Sequence, residues 1–267
     1  MRVAVVGHVE WAEFVRVERM PRAGEIVHAQ QRWDGAGGGG AVAAVELARL
    51  AGEALFFTAL GDDALGHRAA EELGARGVRV LSAFRPEPQR RVFVHVDAAG
   101  ERTITVIGAR LAPRRDDTLP WDLLAGCDAV YFTAGDADAL RAARAARVLA
   151  ATPRALPTLA LAHVALDLLV GSARDAGEEV RADALAPPPA LLVQTEGAAG
   201  GRFVCASGAM GRFDAALAPN PVLDSYGAGD CFAAALSYAL GAGEPLDRAL
   251  GFAASRGAAA LGRRGPS

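Results

Sequence analysis

The segment Asp224-Ser225-Tyr226-Gly227-Ala228-Gly229-Asp230 runs directly into Cys231-Phe232-Ala233-Ala234-Ala235-Leu236-Ser237-Tyr238-Ala239-Leu240. The second part is rich in Ala and Leu and is closed by Gly241 and Gly243, which predicts a helix. The first part predicts a glycine-bearing turn that sets Asp230 in that helix's first turn. Backbone N–H groups there have no intrahelical partner, and the helix dipole adds partial positive charge. Gly227 and Gly229 place no Cβ in the way of a close anion, so the turn is suited to a phosphoryl group. A carboxylate beside a bound anion is misplaced unless it works as a base. Asp230 is therefore expected to take a proton from an attacking hydroxyl. The amides of Gly227, Ala228 and Gly229 would stabilise charge on the transferred group. The plainer reading is an acidic helix cap whose glycines only make a turn.

The 267 residues supply one large α/β domain or two small ones. A hydrophobic content of 52% and a charged content of 22% describe a globular chain with an ample core. The net charge of −3 gives no basis for electrostatic binding to nucleic acid or an anionic membrane. The chain contains no lysine. That excludes a Walker-type P-loop, a lysine-dependent protein-kinase site and Schiff-base chemistry. Cys127, Cys205 and Cys231 are scattered, form no zinc pattern and suit a reducing cytoplasm. The start, Met1 to Gly7, turns polar too early for a signal peptide, and no apolar run is long enough for a membrane span.

Along the chain, Arg2 to Val6 reads as a buried parallel strand. Ile26 to Trp33 reads as a polar peripheral strand, and Asp34 to Leu50 as a glycine loop entering a helix. Leu55 to Gly61 is a second apolar strand, followed by a helix over Ala64 to Arg76 capped by Asp62 and Asp63. Arg91 to Asp97 and Glu101 to Val106 read as a hairpin. A strand ends near Gly135 and Asp136, and a helix is expected over Ala137 to Leu149, with Arg141, Arg144 and Arg147 on a solvated face. Leu156 to Val170 is apolar and open to either assignment. Leu191 to Thr195 is a strand followed by a T-x-G-x-x-G turn, and Phe252 to Leu261 a last helix. Gly35, Gly37 and Gly40 satisfy G-x-G-x-x-G literally. That fingerprint belongs after the first core strand, which here ends near Gly7.

The nine residues from Asp224 to Phe232 resemble the signature D-T-x-G-A-G-D-x-F of the PfkB/ribokinase family, with Ser225 for Thr. Gly37 to Ala44 resembles that family's G-G-K-G-A-N-x-A, with Gly39 for Lys and Val42 for Asn. Gly61 to Gly66 resembles its G-D-D-x-x-G. The resemblance implies an α/β fold over 1–267: a ribokinase-like three-layer αβα sandwich with a mainly parallel sheet. It also implies a small β lid from segments near 8–33 and 89–108. The implied activity is ATP-dependent phosphorylation of a hydroxyl on a sugar or related small molecule, with Mg2+. Asp230 would be the base. Thr195, Gly197, Gly200, Ser172, Arg174 and Ser225 would serve the nucleotide. Asp175 would serve the magnesium, one methylene shorter than the family's Glu. Glu10, Glu13, Asp34, Gly37, Gly38 and Asp230 would face the substrate, and two chains would pair through the lid in the cytoplasm. Ala12 stands where the family has an Asp. With Val42 and Gly39, it points away from an ordinary hexose or ribose. Three alternatives stand beside this reading. One is a catalytically impaired relative that binds without phosphorylating. Another is a nucleoside kinase holding a base against Trp11, Phe14 or Trp33. The third is a dinucleotide-dependent oxidoreductase resting on Gly35, Gly37 and Gly40.

Overall fold

Val3–Val6 (β1) is buried on both faces, as its unbroken apolar run requires, and takes a parallel neighbour on each side. The computed structural model describes residues 1–266. After β1 come β2 (Glu10–Arg16), β3 (Gln31–Gly37), α1 (Gly39–Ala51), β4 (Ala54–Gly61), α2 (Ala64–Ala75) and β5 (Val78–Arg85). The hairpin β6 (Arg91–Val96) and β7 (Arg102–Ile107) follows, then β8 (Ala129–Phe132), α3 (Ala137–Ala143) and β9 (Val148–Ala151). The remainder is α4 (Leu156–Ala162), β10 (Leu168–Ser172), β11 (Leu191–Thr195), β12 (Gly201–Cys205), β13 (Met210–Phe213), α5 (Ala228–Gly241) and α6 (Leu246–Ala260).

Nine strands form the main sheet in the order β13-β12-β11-β10-β9-β8-β1-β4-β5, parallel except for the antiparallel β11-β12-β13 edge. Alternate residues of β1 point to opposite faces. Val3 and Val5 join a core with α1, α5 and α6, while Ala4 and Val6 join one with α3 and α4. The result is a three-layer α/β sandwich, as the sequence implied. Glu46 of α1 is fully buried and meets Arg256 of α6, Arg263 and Arg49, which binds α6 to α1. No helix among the described residues is long and apolar enough to cross a membrane.

A second sheet, ordered β3-β2-β6-β7, stands apart. Its Ala12, Phe14, Val92, Val94 and Val96 pack on Val42, Tyr226 and Cys231, so it rests on the signature turn and the start of α5. Gly100 O accepts from Ser225 N at 3.2 Å, and Arg102 Nη1 donates to Ser225 O at 2.8 Å.

Four expected elements differ. Residues 34–37 are not a loop: β3 runs through them, paired with β2 from Glu10↔Gly37 to Arg16↔Gln31. Ile26, placed in a strand by its sequence, is exposed and outside β3. Gly35 and Gly37 thus lie inside an antiparallel strand of the second sheet, not in the turn after a strand of the parallel sheet where a dinucleotide fingerprint belongs. The helix expected over Ala137 to Leu149 stops at Ala143. Arg144 turns its guanidinium onto the carbonyls of Ala146, Arg147 and Ala165, and the chain re-enters the sheet as β9. Arg141 and Arg147 are exposed and Arg144 is half-buried; they pair with Asp138, Asp128 and Asp167. The last helix starts at Leu246 rather than Phe252.

Candidate active site

Helix α5 begins at Gly227, whose φ of 75° is left-handed and favours glycine. A Cβ there would lie 2.8 Å from Val42 Cγ1, so Val42 fills the space behind the turn. The Cβ direction of Gly229 meets open space, and Gly229 is exposed. Asp224 holds the turn from below: its Oδ1 accepts from Tyr226 N and its Oδ2 from Gly265 N, both at 2.8 Å.

Asp230 lies in the first turn of α5, half-buried. Gly39 passes so close that a Cβ there would stand 2.7 Å from Asp230 Oδ1. Loss of solvent pushes the Asp230 carboxyl up to about 7; Glu178 and Glu10 add to this, while Arg102 and Arg154 oppose it. A carboxylate balanced near neutrality, beside amides that can hold an anion, is equipped to accept a proton from a nucleophile.

Glu10 and Gly38 flank Asp230 on the side of the second sheet. Gly38 has φ 86°, and a Cβ there would meet Glu10 Cγ at 3.1 Å. Its N–H donates to Tyr226 Oη at 2.7 Å, and Gly37 has no room for a Cβ beside that oxygen. Arg90 Nε is 2.8 Å from Glu10 Oε1, and His8 Nε2 is 3.7 Å from the same atom. Burial pushes the His8 imidazole down to about 3, with Arg110, Arg90 and Arg154 acting the same way, so His8 is neutral. Burial also raises the Glu10 carboxyl against those arginines.

Glu13 and Asp34 are not brought to this place. Alternation along β2 turns Glu13 to the face opposite Ala12 and Phe14, where it pairs with Arg91 and Arg32. Asp34 lies across from Glu13 and accepts from Arg68 at 3.1 Å. The three aromatic residues suited to a nucleobase are committed to packing. Phe14 stacks on Trp33 and meets the edge of Tyr226, and Trp11 is 1% exposed beneath Arg68.

The strand ends of β10 and β11 bring Ser172 beside Thr195. Ser172 Oγ accepts from Arg174 N at 3.2 Å, and Arg174's guanidinium lies against Gly197, where a Cβ would be 2.7 Å from Nη1. Gly200 closes the β11–β12 turn; a Cβ there would strike Phe213 O. The Ser225 hydroxyl accepts from Arg102 at 3.2 Å. Asp175 accepts from Gly177 N at 2.9 Å and from Arg154, which also donates to Glu178 at 2.6 Å. Among the described residues no group of three or more His, Cys, Asp or Glu is placed to hold a metal ion. Magnesium commonly takes only one or two carboxylates and completes its shell with phosphates and water, so Asp175 and Glu178 fit as an oxygen donor pair shared with Arg154.

His8, Arg90, Arg110, Arg154 and Glu178 escaped the sequence reading. His8 follows the end of β1, where ligands collect in such sheets, and that rule alone points to it. The arginines are brought in by loops and strand register, which no local pattern announces.

The sequence model of the pfkB family of carbohydrate kinases matches residues 1–267. A ribokinase of Arabidopsis thaliana is 33% identical over 110 residues, 40% of this chain and 29% of that protein. The matched segment is thus less than a third of that relative's length. The structure of Arabidopsis thaliana ribokinase complexed with ribose and ATP superposes with a TM-score of 0.74 at 23% identity, covering 99% of this chain and 93% of that one. Adenosine kinase from Sinorhizobium meliloti gives a TM-score of 0.79 at 19% identity, covering 99% and 94%. At these identities the two superpositions speak for the fold.

Proposed function

The chain belongs to the pfkB family of carbohydrate kinases, and on that premise we propose that it transfers a phosphoryl group from ATP to a hydroxyl of a sugar or related small molecule, with Asp230 as the base. One observation carries this reading: a carboxyl poised near neutrality in the first turn of a helix, next to the exposed Gly229. In the step itself the acceptor O–H gives its proton to Asp230 as its oxygen bonds to the terminal phosphorus. The bond from that phosphorus to the bridging oxygen breaks, and ADP leaves with the electron pair. The N–H groups of Gly227, Ala228 and Gly229 receive the charge that spreads over the phosphoryl oxygens.

The nucleotide is assigned to the ends of β10 and β11, beside Thr195, Gly197, Ser172 and Arg174. Arg174 supplies there the positive charge that lysine would otherwise bring. Asp175 and Glu178 would hold Mg2+, which when bound offsets charge on the phosphates. The acceptor lies between Asp230, Glu10 and the Gly37–Gly38 backbone, and the second sheet acts as a lid that excludes water. The lid's outer strand, β7, leaves Ile104, Val106 and Ile107 exposed. We assign that edge to pairing with a second copy.

An ATP-depletion assay over sugars, nucleosides and sugar acids tests the reading. Turnover with one of them is expected, and Asp230→Asn should lower it by roughly 10²-fold or more while ATP binding persists. Unchanged turnover in that variant would remove Asp230 from its role. Val42 and Gly39 stand where the family has polar side chains, which favours a second reading: a chain that binds ATP yet phosphorylates no acceptor.

A further inference from the structure

The glycine backbone beside Asp230 is already occupied by one of the chain's own side chains. Tyr226 Oη accepts the Gly38 N–H at 2.7 Å, so that single donor has its partner before any ligand arrives. A Cβ on Gly37 would stand 2.6 Å from the same oxygen and 3.2 Å from Ala12 Cβ. The phenol therefore ends beside Ala12, between β2 and β3. Its ring meets Phe14 edge-on, with centroids 5.1 Å apart. Ala12, Phe14, Val42 and Tyr226 form one apolar cluster, each 8% exposed or less.

The polar groups converge on the glycines that follow. Asp230 Oδ1 is 2.7 Å from the Cβ position of Gly39, and Glu10 Cγ and His8 Cδ2 are 3.1 and 3.4 Å from that of Gly38. His8 Nδ1 is buried without a hydrogen-bond partner. A ligand at Asp230 thus meets two carboxyls and an imidazole near at hand, and a packed phenol beyond them. A phenol takes up much the same room as a sugar ring, and close-packed interiors do not share space. A ring sugar reaching towards Ala12 has to unseat Tyr226, which gives up its Gly38 hydrogen bond and its packing on Phe14.

We propose that Tyr226 sets the length of the acceptor, and that the acceptor is an open-chain polyol or hydroxycarbonyl compound of about three to four carbons. One hydroxyl faces Asp230, and its neighbours face Glu10 and His8. The phenol shuts out pentoses, hexoses and nucleosides. The inference rests on the phosphotransfer reading for its placement of the acceptor beside Asp230.

The test gives the wild-type chain ATP with glycerol, dihydroxyacetone and erythritol, and separately with ribose, fructose and adenosine. The best short acceptor should exceed the best ring acceptor in kcat/KM by about ten-fold or more. Tyr226→Ala should raise kcat/KM for ribose or fructose by about ten-fold or more and leave the KM for ATP within about two-fold. Tyr226→Leu keeps more of the packing and should move the order the same way if Tyr226→Ala does not fold. Tyr226→Phe keeps the bulk and should keep the preference for short acceptors, which separates filled space from the hydrogen bond. A wild type that prefers a ring acceptor would overturn the proposal. So would an unchanged order in the folded Ala or Leu variant. If nothing turns over, calorimetry with ADP decides. Erythritol bound by the wild type, with ribose admitted only by the shortened variants, would sink the phosphotransfer reading and leave this one standing. Ribose bound equally by wild type and variants, or no acceptor bound by any of them, would sink this one.

Discussion

The phenol oxygen of Tyr226 accepts the N–H of Gly38 at 2.7 Å, joining residues 188 positions apart. This contact ties the signature turn to the end of β3, and with it Asp230 to the Gly37–Gly38 backbone. Tyr226→Phe leaves the buried Gly38 N–H without a partner. The expected cost is about 1–3 kcal/mol of stability, with a raised KM for the acceptor. Chemical denaturation and steady-state kinetics measure both, and unchanged values would deny the link.

A base with its carboxyl near 7 gives a defined pH profile. Below about 7 the rate constant kcat/KM should fall ten-fold per pH unit as Asp230 takes up a proton; above it the profile should level. Glu178 is the charge that raises this carboxyl most, and Arg102 the one that lowers it most. Glu178→Gln should therefore move the midpoint down, and Arg102→Met should move it up. A midpoint near 4 in the wild type would contradict the assignment.

The same carboxyl weighs on stability, with a sign opposite to that of a salt-bridged acid. Its folded value, about 7, lies above its unfolded value of 3.8. Between them the folded chain holds a proton that the unfolded chain has released, so stability falls as pH rises across that window. Asp230→Asn should accordingly melt above the wild type at pH 8, by an amount on the order of 1–4 kcal/mol. The two melting curves should converge near pH 4. A destabilised Asn variant at pH 8 would mean that the carboxylate is not desolvated.

Gly39→Ala tests how closely the start of α1 approaches Asp230. Its Cβ would arrive 2.7 Å from Asp230 Oδ1, and the carboxylate must give way. Displacement of this kind costs roughly 10–10²-fold in turnover, with little change in melting temperature because the yielding atom ends a side chain. Full activity in Gly39→Ala would show that the base tolerates the move.

What could be read in advance follows from how local each signal is. Asp230 and its turn are written within nine consecutive residues, Asp224 to Phe232, and short apolar runs such as Val3–Val6 announce buried parallel strands without outside help. Asp34 to Gly37 misled because glycine argues against a strand, while its pairing with β2 and the approach of Tyr226 Oη require small residues there. The Ala- and Arg-rich stretch after Asp136 looked helical throughout, but Arg144 binding carbonyls beyond its own helix ends that helix. Alternation along β2 could have separated Glu10 from Glu13. Arg90 meets Glu10, and Arg154 meets Asp175 and Glu178, only through strand register and loop closure, and nothing distinguishes these arginines among the chain's others.

Asp224 shares one carboxylate between the entry to α5 and Gly265, and Arg76 reaches the Pro266 carbonyl at 2.8 Å. A purification handle or a surface anchor attached at that end would pull directly on the peptide that enters α5. One attached ahead of β1 would tug at the opposite end of that helix, beside Gly241, so an immobilised preparation should be tethered by residue 1.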